Sequence, residues 1–336
     1  MPTEVSQATG KPSYFLVSVS TRKNLNLCIE HSLAGFPSSQ GGAWTFCEIT
    51  QGDLISFLYG AKAYNLYRVK TKEAIREAQV LPPPWELLKS RKPGKTYFFP
   101  YRLGLEQIRS FDESLVRAEF AYVAENLLLR GGYKKTHFQA DQTTLQSVSQ
   151  IGALTQGRGP SLETGSYTTF DLRFTRNREL RNQPEVMPFT ETILQSAIRR
   201  HLASENSLED LLAKLRFNEV PASELEILGE KALPQGHIDI LLKKRVPLGA
   251  DPKIPIEVKT KKAVPKDLIQ LQSYMDELRG ECPIGILIAS EFHKKVIASV
   301  RDSNVKLVHY SLEGGLEQTA TFDELYRSLI LRPADA

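Results

Sequence analysis

The sequence has few of the residues that build soft metal sites. Three cysteines, Cys28, Cys47 and Cys282, lie far apart and form no C-x-x-C pair. That excludes a disulfide framework and a thiolate zinc site, leaving free thiols that are buried or partly buried. The six histidines are scattered, with no H-E-x-x-H or similar spacing. Any metal must then be held by carboxylates, and oxygen ligands suit magnesium or manganese better than zinc. Long apolar runs are also missing. No stretch of about eighteen or more apolar residues occurs, which excludes a membrane-spanning helix of the usual kind. Residues 1–11 are polar and lack the apolar core of a signal peptide, so a cytoplasmic location is expected.

What is present suits a globular protein. A chain of 336 residues can hold two domains, and a charged fraction of 24% beside a hydrophobic fraction of 41% is that of a soluble one. The net charge of +4 is compatible with a polyanionic partner without establishing one. Basic residues gather locally at Arg173, Arg176, Arg178 and Arg181, at Arg199 and Arg200, and at Lys259, Lys261, Lys262 and Lys266. Such clusters are the footprint of a nucleic-acid contact, or simply solvated surface.

Residues 13–148 read as mostly β. A strand-length apolar run covers 14–19, and Leu25, Cys28, Ile29 and Leu33 then recur at helical spacing. Gly52 and Asp53 punctuate the chain before runs at 54–59 and 64–69 that suggest a hairpin. Pro82, Pro83 and Pro84 make a break, and 97–103 reads as another strand. Short strands in one module predict a small barrel or curled sheet. Residues 149–187 are rich in Gly, Ser, Thr, Gln and Arg and read as a linker or exposed arm. A second unit, 188–330, opens with a helix over 190–203 and a shorter one over 207–215. Strands at 226–228, 237–242 and 254–260, a helix over 265–279, a strand at 284–289, a helix over 291–301 and a strand at 306–312 follow. That order predicts a mixed sheet flanked by helices.

Two of these strands carry chemistry. Along 236–242, Ile238, Ile240 and Leu242 alternate with His237, Asp239 and Leu241; along 254–260, Ile254, Ile256 and Val258 alternate with Pro255, Glu257 and Lys259. Turn formers between 246 and 252 predict a hairpin, so the carboxylates of Asp239 and Glu257 can converge beside Lys259. Two carboxylates can hold a divalent cation that polarises a phosphate and acidifies a water, and a lysine can orient that water and offset developing charge. An ordinary amphipathic strand pair with a solvated charged face would show the same alternation. On the next helix, Gln270 and Tyr274 share a face at i and i+4, while Leu268, Leu271, Met275 and Leu278 are set to pack on the sheet.

The pattern Gly236-x-Ile-Asp239, Ile256-Glu-Val-Lys259 and Gln270-x-x-x-Tyr274 resembles the PD-(D/E)XK nuclease superfamily, in its RecB-like and mismatch-endonuclease-like branches, over roughly 188–312. The resemblance implies Asp239 and Glu257 as metal ligands for Mg2+ or Mn2+. It implies Lys259 as the water-positioning base, with Gln270 assisting at the active-site face. Glu191 and Glu230 occupy places where relatives sometimes carry a further acid. His237 replaces the basic residue often found beside the aspartate in these relatives, and with Lys261 is a candidate DNA contact.

The N-terminal module, with its strand at 15–20, helix near Asn24, the 49–59 segment and the 97–103 strand, resembles the EVE and YTH domains of the PUA-like group. Those are small β-barrels that read modified bases in an aromatic cage, which implies Trp44, Phe36, Tyr59 and Tyr64 as candidate walls. A flipped base can stack on such rings while its edge is hydrogen-bonded. Many relatives place a cage tryptophan after the helix, where this chain has Leu33-Ala-Gly-Phe36. Arg102 is a candidate phosphate contact or a cap on the barrel.

The expected fold class is therefore mixed α/β: a PUA-like β-barrel with helices, then a PD-(D/E)XK sheet flanked by helices. Together the halves resemble modification-dependent restriction endonucleases acting on double-stranded DNA with a modified base, with a homodimer expected for a double-strand cut. A repair endonuclease for mismatches or lesions, and a non-catalytic nucleic-acid reader, are the rival readings.

Overall fold

The computed structural model describes residues 11–60, 62–89, 94, 96–112, 136–155, 162, 166–183, 185–204, 206–234, 236–301 and 303–334. Residues 156–161 and 163–165, part of the expected arm, lie outside the described residues. The chain divides into two compact units, the second beginning its main course at Asp171. The fold is mixed α/β. Among the described residues no helix is long and apolar enough to cross a membrane.

The first unit is built on β1 (Tyr14–Ser18), α1 (Arg22–Glu30), β2 (Leu33–Phe36), α2 (Gln40–Glu48), β3 (Leu54–Tyr59), β4 (Lys62–Ala74), β5 (Tyr101–Ser110) and β6 (His137–Ala140), with α3 (Gln142–Val148) following. Its strands lie in the order β2-β5-β4-β3-β1-β6, and the two-residue strand Ala153–Leu154 pairs with the end of β5. β1 and β3 are parallel; the other neighbours are antiparallel. Register shifts in β3 and β4 mark bulges, which bend strands. No pairing among the described residues joins β2 to β6, so the expected barrel closure is not found.

Local chemistry explains where sequence expectation and structure part. Thr21 caps α1 by accepting from the Asn24 amide, and Leu25 and Cys28 fill its buried side. The helix stops before Leu33 because Ser32 takes a left-handed φ of 46°, which turns Leu33 into β2. Helix α2 was hidden by Gly41 and Gly42, poor helix formers. Gly42 is there for space: a Cβ would meet the Pro37 carbonyl oxygen at 1.9 Å. The strand expected at 97–103 proper begins at Tyr101, just after Pro100, which has no N–H to give.

The second unit holds a six-stranded sheet of β9 (Leu225–Leu233), β10 (Gly236–Lys244), β11 (Lys253–Lys259), β12 (Gly285–Ala289), β13 (Val305–Leu312) and β14 (Leu329–Pro333), in sequence order. In a small sheet β7 (Arg173–Thr175) pairs with β8 (Val186–Pro188) and with Ala320–Thr321. β9, β10 and β11 are antiparallel, β11, β12 and β13 parallel, and β14 closes the edge antiparallel. The β7–β8 strands fall inside the stretch expected to be a connection. Three residues each, they are too short to show a period, yet Phe174 and Val186 are buried at 0% and 4% exposure.

Helices α4 (Glu191–Leu202), α5 (Ser207–Lys214), α6 (Pro265–Leu278), α7 (Lys294–Ser299) and α8 (Phe322–Arg327) complete the unit. Ile193, Ala197, Ile198 and Leu202 of α4 are all buried, as their spacing requires. Leu268 and Leu271 of α6 pack with Leu287, Ala289 and Leu307, and Met275 lies against the same cluster. Cys28 and Cys47 are buried free thiols and Cys282 a partly buried one.

Candidate active site at a fork between two strands

β10 and β11 pair from Lys243↔Lys253 to Ile240↔Ile256 and then stop. One further step of that register would set Asp239 opposite Glu257. Instead β11 continues beside β12, with Glu257, Val258 and Lys259 facing Leu287, Ile288 and Ala289. The amide of Val258 is met by a side chain: Asp239 Oδ2 accepts it at 2.8 Å. On the other edge of β10, Gly229 and Lys231 pair with Ile240 and Ile238. Glu230, between them, has a φ of 43°. A left-handed residue inside a strand is strained, and here the irregularity faces Asp239. The strand is thus loosened on both edges at the aspartate.

Charges converge in that fork. Glu257 is 0% exposed. Lys259 Nζ lies 2.7 Å from Glu257 Oε1 and 3.2 Å from Glu191 Oε1. Glu191 is the first residue of α4, and one turn later the buried Gln195 hydrogen-bonds the Asp239 carboxylate. Burial pushes the Asp239 carboxyl well above its usual range, against the Val258 amide and Lys259, which work to lower it. Burial, then the Asp239 charge, does the same to Glu257. Burial alone would lower the Lys259 ammonium, but Glu257, Asp239 and Glu191 outweigh it and hold the lysine firmly cationic.

These residues fit a divalent cation. Both carboxylate oxygens of Glu257 are buried; Oε1 meets the Lys259 ammonium at 2.7 Å, and Oε2 has no hydrogen-bond partner among the described residues. An ionised carboxylate left so would be costly, and a hard cation satisfies it. Among the described residues no group of three or more His, Cys, Asp or Glu side chains is gathered to hold a metal. A cation here would therefore rest on Asp239 and Glu257 and complete its shell with water or phosphate oxygens, as magnesium commonly does.

Gln270 and Tyr274 act as a pair. Gln270 Nε2 donates to Tyr274 Oη at 2.7 Å, and the His237 amide donates to the same oxygen at 3.1 Å. Tyr274, 1% exposed, thereby ties α6 to the start of β10. Gly236 allows that approach, since a Cβ there would lie 2.7 Å from Tyr274 Oη. Burial raises the Tyr274 hydroxyl, and Glu257 and Asp239 add to the shift, which places the phenol in the field of both carboxylates. His237 is half-buried, and Lys261 is exposed beyond the end of β11. Arg176 belongs to the basic cluster singled out in the sequence, whereas Gln195 and Tyr310 were not anticipated. Of those two only Gln195 carried a signal, lying four residues after Glu191 on one helix face.

The aromatic candidates of the first unit are dispersed in their environments. Phe36 is 2% exposed and belongs to the core, which removes it as a cage wall. Trp44 is half-buried on α2; its Nε1 donates to Glu48 Oε1 at 3.0 Å and its ring meets His137 edge-on at 4.6 Å. Tyr59 and Tyr64, also half-buried, lie on the β3–β4 hairpin, opposite Lys62 and Phe57. Tyr64 Oη accepts from Arg22 at 3.1 Å. Arg102 is interior, at 3% exposure. Its guanidinium donates to the carbonyls of Pro82 (2.7 Å) and Phe99 (3.3 Å) and lies over Trp85. It organises the 78–85 segment rather than meeting a phosphate.

No family model and no curated protein matches the chain. Among solved structures, a complex of EndoMS with double-stranded DNA aligns at 21% identity and a TM-score of 0.21, over 30% of this chain and 43% of that one. The DNA modification-dependent restriction endonuclease AspBHI aligns at 14% identity and a TM-score of 0.20, over 96% of this chain and 72% of that one. Both are faint similarities.

Proposed function

We propose that this chain is a metal-dependent DNA endonuclease whose second unit hydrolyses phosphodiester bonds at the fork and whose first unit directs it to a modified base. The observation that carries the hydrolytic reading is Glu257: a fully buried carboxylate whose Oε1 meets the Lys259 ammonium and whose Oε2 has no hydrogen-bond partner, beside Asp239 and a lysine held as a cation.

Asp239 and Glu257 would hold Mg2+ or Mn2+, which when bound polarises a phosphate and makes its water a nucleophile at neutral pH. The residues of the chain do the rest. Lys259 places a positive charge where the attacking water and the developing phosphorane charge meet. Glu191 holds the Lys259 ammonium from the far side, and Gln195 holds Asp239. Gln270 and Tyr274 fix α6 against the strand that carries Asp239. Lys261, exposed at the end of β11, and His237 are set to meet the DNA backbone.

Target choice belongs to the first unit. Trp44, Tyr59 and Tyr64 keep part of their rings accessible, as stacking on an extruded base requires. A cut in both strands by single-centre units calls for two copies, so the active species is proposed to be a homodimer. The test is digestion of duplexes carrying defined cytosine or adenine modifications, alongside unmodified and mismatched duplexes, with Mg2+ or Mn2+. Cleavage restricted to modified DNA supports the whole reading, and preference for mismatches would move it to repair. If every duplex stays intact and Asp239→Ala behaves as the wild type, the hydrolytic reading is wrong.

A further inference from the structure

We infer that Arg176 is a phosphate-contacting residue, a preformed cation at the rim of the fork that grips the DNA backbone beside the bond being cut. The inference rests on the nuclease reading and adds a residue to it. Arg176 immediately follows β7. Its Nη2 lies 2.7 Å from Tyr310 Oη and 3.4 Å from the Thr260 carbonyl oxygen, and its guanidinium sits over the Phe189 ring at 5.3 Å. Tyr310, 4% exposed, gives its own hydroxyl proton to the Thr260 carbonyl at 2.7 Å. Thr260 is the residue after Lys259, and Phe189 stands two residues before Glu191, so both supports of Arg176 adjoin the charge cluster.

Arg176 is nonetheless exposed, and among the described residues no carboxylate lies within ion-pair distance of it. Its Nε and Nη1 donors have no protein partner among the described residues. The neighbouring arginines differ. Arg173 is engaged by Thr319 and Glu324, and Arg181 donates to the carbonyls of Thr175 and Arg176. An exposed arginine normally loses rotamer freedom when it is fixed by a ligand. In Arg176 the ring, the hydroxyl and the carbonyl have already fixed it, while its charge is left uncompensated. A planar fork of free donors on a preorganised cation is matched to a phosphate.

The experiment measures duplex binding as a function of salt in an Asp239→Ala background, together with cleavage in the otherwise wild-type chain. Arg176→Gln is expected to weaken binding about tenfold, the loss of one charge-assisted hydrogen bond. It should also reduce the salt slope by about one phosphate contact, with an unchanged Tm. Tyr310→Phe keeps the charge but removes one support, so it should weaken binding by less and leave the slope intact. An unchanged slope in Arg176→Gln overturns the inference, whatever happens to activity, because a packing role would not alter counterion release. A reduced slope in a protein that cuts nothing keeps the phosphate contact and removes the nuclease reading instead.

Discussion

Arg102 in the first unit and Glu257 in the second are both buried charges, at 3% and 0% exposure, and they are treated in opposite ways. The arginine spends its donors on backbone carbonyls and its plane on an indole, so its burial is complete and quiet. The glutamate is buried with one oxygen on the Lys259 ammonium and the other without a hydrogen-bond partner, beside a second carboxylate, Asp239. A folded chain tolerates the first arrangement for structure. The second costs free energy in the isolated protein and makes sense where another species completes it. Burial alone therefore does not mark a site; burial with an unmet demand does.

The comparison is broken most directly at the fork. Lys259→Ala should lower cleavage by about a thousandfold, the scale of removing a group that acts on transition-state charge, while leaving the circular-dichroism spectrum unchanged. Arg102→Ala should do the reverse. Stranding the carbonyls of Pro82 and Phe99 should cost about 3 kcal/mol in denaturant unfolding, without altering the chemistry of the folded fraction.

The pH dependence sharpens the contrast. A carboxyl whose folded pKa is raised binds more protons folded than unfolded, so stability falls as pH rises across that interval. For Glu257 burial and the Asp239 charge raise the folded value, so the interval opens at the ordinary carboxyl value near ~4 and extends upward from it. Glu257→Gln should accordingly be near neutral at acid pH and increasingly stabilise the metal-free protein as pH rises above the ordinary carboxyl range, in urea titrations. Added Mg2+ should erase that advantage. The smallest effect belongs to Gln195→Leu. Losing its hydrogen bond raises Asp239 further, so the acidic limb of the pH–rate profile should move upward by less than about one unit.

Much of the second unit was legible because its strands alternate and turn formers separate them. Asp239, Glu257 and Lys259 could be put on neighbouring strands from that alternation alone. Their register could not, because the fork depends on β11 leaving β10 for β12, a partner some thirty residues onward. Gln195 comes from a helix far upstream, where its role is visible only after the fold brings α4 over Asp239. In the first unit, the burial of Phe36 and Arg102 could not be read from the sequence for one reason. An aromatic or an arginine has the same letter in a core as at a surface, and the Trp85 and Pro82 contacts that bury Arg102 are nonlocal. The small β7–β8 sheet escaped notice because three-residue strands carry no period.

The bond from the Val258 amide to Asp239 Oδ2 has a use beyond holding the fork. An amide proton resting on a carboxylate senses whether that carboxylate is charged, protonated or shared with a cation. Its chemical shift and its exchange with solvent deuterium should track the state of Asp239 with no substrate present. The backbone thus carries a built-in spectroscopic probe of the candidate centre, readable at a single residue.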